Sequence, residues 1–307
     1  MKKEAILIVG TGALATLFAA RLSAAGVNIT MLGSWDEGLA ALNKHGARLV
    51  DADGNEKAYP VRAVRECEKA QYAIVLVKSW QTENVAKKLK KCLTENGVVL
   101  TLQNGLGNGE ILAKHLGAER VAQGVITTGA SLFGAGIARM GGEGLVSVET
   151  HPRLGAVNAI LTEAAFHLES VPDVQSLIWS KLAINAAINP LTALLDIPNG
   201  DLLKILEAKK MMGELACEAA SLALAQNISL SFDDPGRAAE NIARKTSSNI
   251  SSMLQDLRRG APTEIDAICG AIAQIGETLD VATPLNKFCA ELVRAKVNRG
   301  KIWEIKI

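Results

Sequence analysis

Residues 5–32 constrain this chain more than any other stretch. Ala5-Ile-Leu-Ile-Val9 is a short apolar, partly β-branched run, the pattern of a strand buried on both faces. It passes straight into Gly10-Thr11-Gly12-Ala13-Leu14-Ala15. A helical pattern carried by Leu17, Phe18 and Leu22 follows and ends at Gly26, and Val27 to Leu32 reads as the next strand. Strand, glycine loop, helix and strand within about thirty residues predict the βαβ opening of a dinucleotide-binding domain, with Ala15 in the third position of G-x-G-x-x-G/A. Gly10 permits the tight turn. Gly12 lets the backbone approach a pyrophosphate at the helix amino end, where unpaired N–H groups and the helix dipole favour negative charge. Glycine-rich turns also serve merely to close strand-to-helix connections, but the surrounding order of elements favours the nucleotide site.

The end of the second strand reads cofactor choice. NAD sites place an acid about 20 residues beyond the motif to bind the ribose 2′-hydroxyl. Here the strand runs out as Met31-Leu-Gly33-Ser34-Trp35, and the first acids, Asp36 and Glu37, come late. That favours NADP(H) over NAD(H). No arginine stands there, so Ser34 or a more distant lysine would have to meet the 2′-phosphate, and Asp36 as a displaced NAD-binding acid stays open.

Ala47 to Val64 alternates around Asp53-Gly54, a two-residue hairpin signal. Tyr72 to Val77 and Val98 to Leu102 are further buried strands, ending in Lys78-Ser-Trp-Gln81 and Gln103-Asn104-Gly. In an open α/β sheet ligands sit beyond the carboxyl ends of the strands, which puts Lys78 and Asn104 on the edge of the glycine loop. Ordinary turn chemistry would also account for Asn104-Gly105. Glycines then punctuate short β-like runs from Gly124 to Glu149, and Pro152 to Pro172 crosses into a second domain.

From Asp173 onward the strand signal gives way to helical patterns: Asp173 to about Leu195, Asp201 to Gln226, Asp234 to about Asn249, Thr263 to Leu279 and Pro284 to Val297. Residues 1–170 are therefore expected to form a Rossmann domain and residues 171–307 an all-helical one, giving an α/β chain of two domains. The first helical pattern is apolar nearly all round, with Leu177, Ile178, Leu182, Ile184, Ala186, Ala187 and Ile188 covering most of its circumference. Lys181, Asn185 and Asn189 interrupt it at steps of four and form one polar stripe. An amine and two amides need partners when they leave water, so the stripe faces a polar cleft, a ligand or simply solvent.

Composition excludes several classes of function. The 33 basic and 32 acidic side chains give a net charge of +1, with no general attraction for nucleic acid or an anionic membrane. The 49% hydrophobic and 21% charged content is that of a compact soluble protein acting on small molecules. Cys67, Cys92, Cys217, Cys269 and Cys289 are odd in number and widely spaced, without Cys-x-x-Cys pairs or neighbouring histidines. They read as reduced cytoplasmic thiols, not as a disulfide framework or a metal site. Met1-Lys-Lys-Glu4 leads into five apolar residues, too few for a signal-peptide core. Val121 to Ala138 is uncharged but rich in glycine and hydroxyl residues, which suits a strand pair better than a membrane span. His45, His115, His151 and His167 are isolated, and none is assigned to catalysis. Trp80 and Trp179 read as core or cleft-wall residues.

Taken together, Gly-Thr-Gly-Ala-Leu-Ala at 10–15, Val-Lys78-Ser-Trp-Gln81, Gln-Asn104-Gly, Trp179-Ser-Lys181-Leu-Ala-Ile-Asn185-Ala-Ala-Ile-Asn189-Pro-Leu-Thr, Pro198-Asn199-Gly, and Ser251-Ser252-Met-Leu-Gln-Asp-Leu followed by Thr263-Glu264-Ile-Asp resemble ketopantoate reductase (2-dehydropantoate 2-reductase). The resemblance spans both predicted domains, and its second-half motifs are more specific than the glycine loop. It implies a Rossmann domain and a helical domain with the active site in the cleft between them. It also implies an NADPH-dependent oxidoreductase that reduces ketopantoate to pantoate on the way to pantothenate and coenzyme A. By position, Lys181 resembles the general acid, Glu264 an acid close to the reacting groups and cofactor, and Asn185, Asn189, Asn199 and Ser252 the substrate-binding set. Asn104 resembles a residue near both nicotinamide and substrate. Lys78 would help hold the NADP phosphate, and Ala130 falls where backbone meets the cofactor. The sequence departs from the family at Gly33-Ser34-Trp35, where an arginine for the 2′-phosphate is often found.

Physical chemistry agrees with these roles. Hydride addition to a ketone builds charge on oxygen, which a lysine ammonium stabilises while donating the proton. Burial lowers a lysine pKa, and a nearby acid such as Glu264 opposes that. Amides and a hydroxyl fix a substrate without adding competing charge. Two residues also have simple helix-end readings: Glu264 as an acid in a first turn after Thr263, and Ser252 as a cap three residues before Gln255. Two other functions compete with the one implied: a related reductase of another 2-keto acid, and a sensor that binds NADP(H) without turnover. The apolar helices leave a homodimer open.

Overall fold

The computed structural model of the chain describes residues 5–51 and 53–304, with side chains described through Asn298. The leader reading of Met1 to Glu4 lies outside the described residues. The chain divides into two compact units, Met1–Gln103 with Asn108–Val174, and Asn104–Gly107 with Gln175–Ile307.

The first unit is built on an eight-stranded sheet. From one edge to the other its strands are His167–Val171, Leu145–Glu149, Val121–Ile126, Leu93–Thr101, Ala70–Val75, Ile6–Val9, Ile29–Leu32 and Arg62–Val64. Every neighbouring pair is parallel except Leu145–Glu149 against Val121–Ile126. The last six strands follow the 3-2-1-4-5-6 order of a doubly wound nucleotide-binding sheet. Because side chains alternate across a strand, Ile6 and Ile8 pack on one face with Phe18 and Leu22 of the Ala13–Ala24 helix. Leu7 and Val9 pack on the other with Leu89 and Leu112. Burial on both faces is why the sequence shows an unbroken apolar run there.

A second, four-stranded sheet runs Glu56–Tyr59, Ala47–Val50, Ile137–Met140, Ala130–Gly134. In the hairpin of the first two, Val50 pairs with Glu56, so the connection is longer than the two-residue turn that Asp53-Gly54 announces. The uncharged stretch Val121 to Ala138 is a strand pair only in its second half, where Ala130–Gly134 pairs antiparallel with the start of Ile137–Met140 in the small sheet. Val121–Ile126 instead joins the large sheet, because the three residues between it and Ala130 redirect the chain.

In the second unit no strand occurs among the described residues. Its α-helices are Val174–Leu195, Leu206–Ala225, Pro235–Lys245, Ser252–Arg258, Cys269–Leu279 and Pro284–Glu304. Two expected continuous helices are interrupted. Asn199–Lys204 is a 3-10 turn separated from Leu206–Ala225 by extended Ile205, and 3-10 Ile265–Ala267 precedes Cys269–Leu279 across Ile268. Periodicity alone misses such breaks, since side chains on either side of them share an apolar face. Ser252–Arg258 is too short for the sequence pattern to announce.

Pro190 sits inside the Val174–Leu195 helix. Lacking an N–H, it leaves the carbonyl of Ala186 without its helical donor, and the buried Cys269 thiol lies 3.9 Å from that oxygen. The reading of all five cysteines as reduced is corrected at one pair: Cys67 and Cys92 form a disulfide across a Cα separation of 5.8 Å. Cys67 follows the edge strand and Cys92 ends the Thr82–Cys92 helix, a proximity created by the fold and absent from the spacing. Cys217, Cys269 and Cys289 are free thiols. Among the described residues no helix is long and apolar enough to cross a membrane, and no group of His, Cys, Asp or Glu side chains is arranged to hold a metal.

Candidate active site

The glycine loop leaves the carboxyl end of Ile6–Val9, where the strand order reverses against Ala70–Val75. Gly10 has φ +133°, and a Cβ there would come within 3.2 Å of Leu76 backbone atoms. Only glycine serves at that crossing. The Leu76 N–H donates to the Val9 carbonyl at 2.9 Å, which fixes the two strand ends together. Gly12 caps the Ala13–Ala24 helix without a side-chain bond, and the first turn carries no acid. Nothing lies within 4 Å of where a Gly12 Cβ would be. Open space over unpaired helix-end N–H groups fits a dinucleotide pyrophosphate. Thr11 is buried, its methyl packing toward Gly33, and Ala15 is fully buried under the loop. Ala13 and Leu14 open the helix.

The other first-unit candidates lie at or beyond strand ends. Ser34 is exposed just after Ile29–Leu32. Lys78 is half-buried and begins a 3-10 turn, its backbone N–H donating to Gln81 Oε1 at 3.3 Å. Ala130 opens the Ala130–Gly134 strand, shortly past the end of Val121–Ile126. A polar cluster that sequence reasoning did not single out ties two of these strand ends together. Gln103 Nε2 donates to the Val77 carbonyl at 3.0 Å and to Thr82 Oγ1 at 2.8 Å, and Thr82 donates to Asn108 at 2.8 Å.

The second unit gathers Asn104, Lys181, Asn185, Asn189, Asn199, Ser252 and Glu264. Asn104 belongs to it because its segment docks on the turn after Glu264. The Leu106 N–H donates to the Ala267 carbonyl at 2.9 Å, and Gly105, at φ +81°, lies so close that a Cβ would meet that oxygen at 2.5 Å.

On the Val174–Leu195 helix, Trp179, Leu182, Ala183, Ala186, Ala187 and Ile188 are buried, while Leu177, Ile178 and Ile184 are only half-buried, so the helix is not enclosed all round. Lys181 and Asn185 are half-buried and Asn189 is 8% exposed, so the polar stripe does not stand in open solvent. Burial pulls the Lys181 ammonium down to about 8, while the negative charge of Glu264 pushes it back up. Glu264 is 5% exposed and precedes the Ile265–Ala267 turn without a side-chain cap bond.

Asn199 is held by two hydrogen bonds. Its N–H donates to the Asn249 carbonyl at 3.0 Å and its Nδ2 to Thr246 Oγ1 at 2.9 Å, yet its buried Oδ1 has no partner. A buried amide oxygen left over is a group set for a ligand donor. The capping role considered for Ser252 falls to its neighbour. Ser251 Oγ accepts from the Leu254 N–H at 3.2 Å and lies 2.7 Å from Thr192 Oγ1, which leaves Ser252 as the first, half-buried residue of the helix. Trp179 is core, but Trp80 is 54% exposed and belongs to no core.

A doubly wound sheet with a glycine loop at its switch point, followed by a helical unit carrying a lysine, an acid and several amides, defines a dinucleotide-dependent oxidoreductase. Residues 6–153 match the family model "Ketopantoate reductase PanE/ApbA" and residues 173–297 match "Ketopantoate reductase PanE/ApbA C terminal". The chain belongs to the ketopantoate reductase family. It is 35% identical over 299 residues to 2-dehydropantoate 2-reductase of Archaeoglobus fulgidus, covering 96% of this chain and 98% of the relative. The corresponding protein of Halobacterium salinarum is 31% identical over 304 residues, covering 96% and 99%. Among solved structures, a PanE/ApbA family ketopantoate reductase from Ralstonia eutropha superposes with a TM-score of 0.90 at 28% identity, covering 96% of this chain and 99% of that one. D-mandelate dehydrogenase with NADH and anilino(oxo)acetate superposes equally well, TM-score 0.90 at 27% identity, covering 96% and 98%.

Proposed function

We propose that this protein reduces 2-dehydropantoate (ketopantoate) to pantoate with NADPH, serving pantothenate and coenzyme A synthesis in the cytoplasm. The observation that carries the reading is Lys181: an ammonium desolvated on a buried helix and supported by the charge of Glu264, in the unit that also holds the unpartnered Asn199 oxygen. Relatives named 2-dehydropantoate 2-reductase over nearly their full length support the substrate.

The Gly10–Ala15 loop would hold the cofactor pyrophosphate, with Lys78 adding positive charge and Ala130 backbone contact. When bound, the cofactor supplies the hydride. As the ketone carbon gains that hydride, the carbonyl electron pair moves onto oxygen, and Lys181 Nζ donates the proton that makes the alcohol. Because Lys181 is desolvated, its attraction for the developing negative charge would be worth more than in water. Asn104, Asn185, Asn189, Asn199 and Ser252 orient the substrate, so that binding energy appears as alignment of the reacting atoms. Glu264 holds Lys181 in its charged form.

The likeness to D-mandelate dehydrogenase with NADH supports a second reading, a reductase of a different 2-keto acid that prefers NADH. Following nicotinamide absorbance with NADPH and NADH, each offered with ketopantoate and a panel of other 2-keto acids, separates the two. Oxidation of NADPH confined to ketopantoate supports the first reading; turnover only with another keto acid replaces the substrate and keeps the chemistry. Cofactor binding without any turnover would mean a sensor.

A further inference from the structure

The strand order brings an arginine to the place where the sequence shows none. Arg62–Val64 is the edge strand beside Ile29–Leu32, in parallel register with Leu32 opposite Val64. The Gly33 N–H donates to the Val64 carbonyl at 3.0 Å. Arg65 and Ser34 therefore leave the same carboxyl edge side by side, about thirty residues apart in sequence. The Arg65 guanidinium pairs with Asp36, the late acid at the start of the Asp36–His45 helix.

The backbone carrying Arg65 is anchored to the Thr82–Cys92 helix. Lys88 Nζ donates to the Arg65 carbonyl at 2.6 Å and pairs with Glu66 at 3.2 Å, and the Cys67–Cys92 disulfide fixes the chain two residues further on. The side chain itself stays accessible, Arg65 at 56% and Asp36 at 77% exposure.

We propose that Arg65 is the residue that selects NADPH by binding the 2′-phosphate of its adenosine, and that Asp36 occupies the guanidinium in the phosphate's absence. This inference rests on the dinucleotide reading above. A guanidinium presents a planar fork that matches phosphate oxygens in pairs, and a dianionic phosphate is a stronger partner than one carboxylate. An exposed ion pair contributes little, so Asp36 is readily displaced. Arg65 thus supplies the charge missing at Gly33-Ser34-Trp35, and Ser34 is left a hydroxyl donor beside it.

The test is binding of 2′,5′-ADP and of 5′-AMP, measured by titration calorimetry for the wild type, Arg65→Ala, Arg65→Lys and Asp36→Asn, with NADPH and NADH turnover in parallel. Arg65→Ala should weaken 2′,5′-ADP about tenfold or more, in the range for loss of a hydrogen-bonded charge, and leave 5′-AMP unchanged. Arg65→Lys should restore part of the loss, and Asp36→Asn should tighten 2′,5′-ADP. If the wild type prefers 2′,5′-ADP and Arg65→Ala keeps that preference, Arg65 is not the selector while the NADPH reading stands. If the wild type shows no preference for the phosphate-bearing ligand, both this inference and NADPH use fall, whereas loss of ketopantoate turnover alone leaves the Arg65 result intact.

Discussion

At Lys181 two opposing influences set the charge. Desolvation favours the neutral amine and the carboxylate of Glu264 favours the ammonium, with a pKa of about 8 as the result. A general acid must be protonated before it can donate, so kcat/KM for keto-acid reduction should be level below that value and fall as pH rises through it. Glu264→Gln removes the influence that raises the pKa and leaves desolvation in place. The alkaline limb should therefore move to lower pH, as a pH–rate profile of the two proteins would show; an unmoved limb would detach Glu264 from Lys181. At Asn199 the buried Oδ1 predicts a ligand donor. Asn199→Ala should raise KM for the keto acid by roughly tenfold, the loss of one hydrogen bond in a dry site, with little change in KM for NADPH.

The Val174–Leu195 helix and its supports show how an element carries a site. Pro190 interrupts the hydrogen bonding one residue after Asn189, and Thr192 answers from the next turn, lying 3.0 Å from the carbonyls of Ile188 and Asn189 and 2.7 Å from Ser251. Ser251 meanwhile caps Ser252–Arg258, so one buried hydroxyl pair joins two helices that bear substrate candidates. Ser251→Ala should cost about 1–2 kcal/mol, for a lost cap and the lost hydroxyl contact with Thr192. Thermal unfolding would register it as a drop of a few degrees in Tm. The step-of-four stripe was legible in sequence because a helix repeats on itself. Ser251 was not: its partner lies 59 residues away, and only tertiary packing told the cap from its neighbour.

For the whole molecule, the class of each unit could be read from pattern alone, since a strand buried on both faces and a helix buried over most of its surface both leave long apolar runs. What the pattern could not hold were relations across the sheet. Arg65 stands beside Ser34 through strand order, Cys67 meets Cys92 through the docking of a helix on an edge, and Asn104–Gly107 packs with the second unit through one close glycine. The disulfide closes a separation of 25 residues, so in the chain-entropy view its loss removes roughly 3 kcal/mol of stability. Cys67→Ser should lower the Tm of the oxidised protein, and a reducing agent should lower the wild type but not the variant. The central claim, that Lys181 protonates the ketone oxygen during hydride transfer, is tested most directly by single-turnover NADPH oxidation with ketopantoate for wild type and Lys181→Ala, with NADPH binding measured separately. A loss of turnover on the order of a hundredfold or more with NADPH still bound is the predicted result. Turnover near the wild-type rate in Lys181→Ala would contradict it.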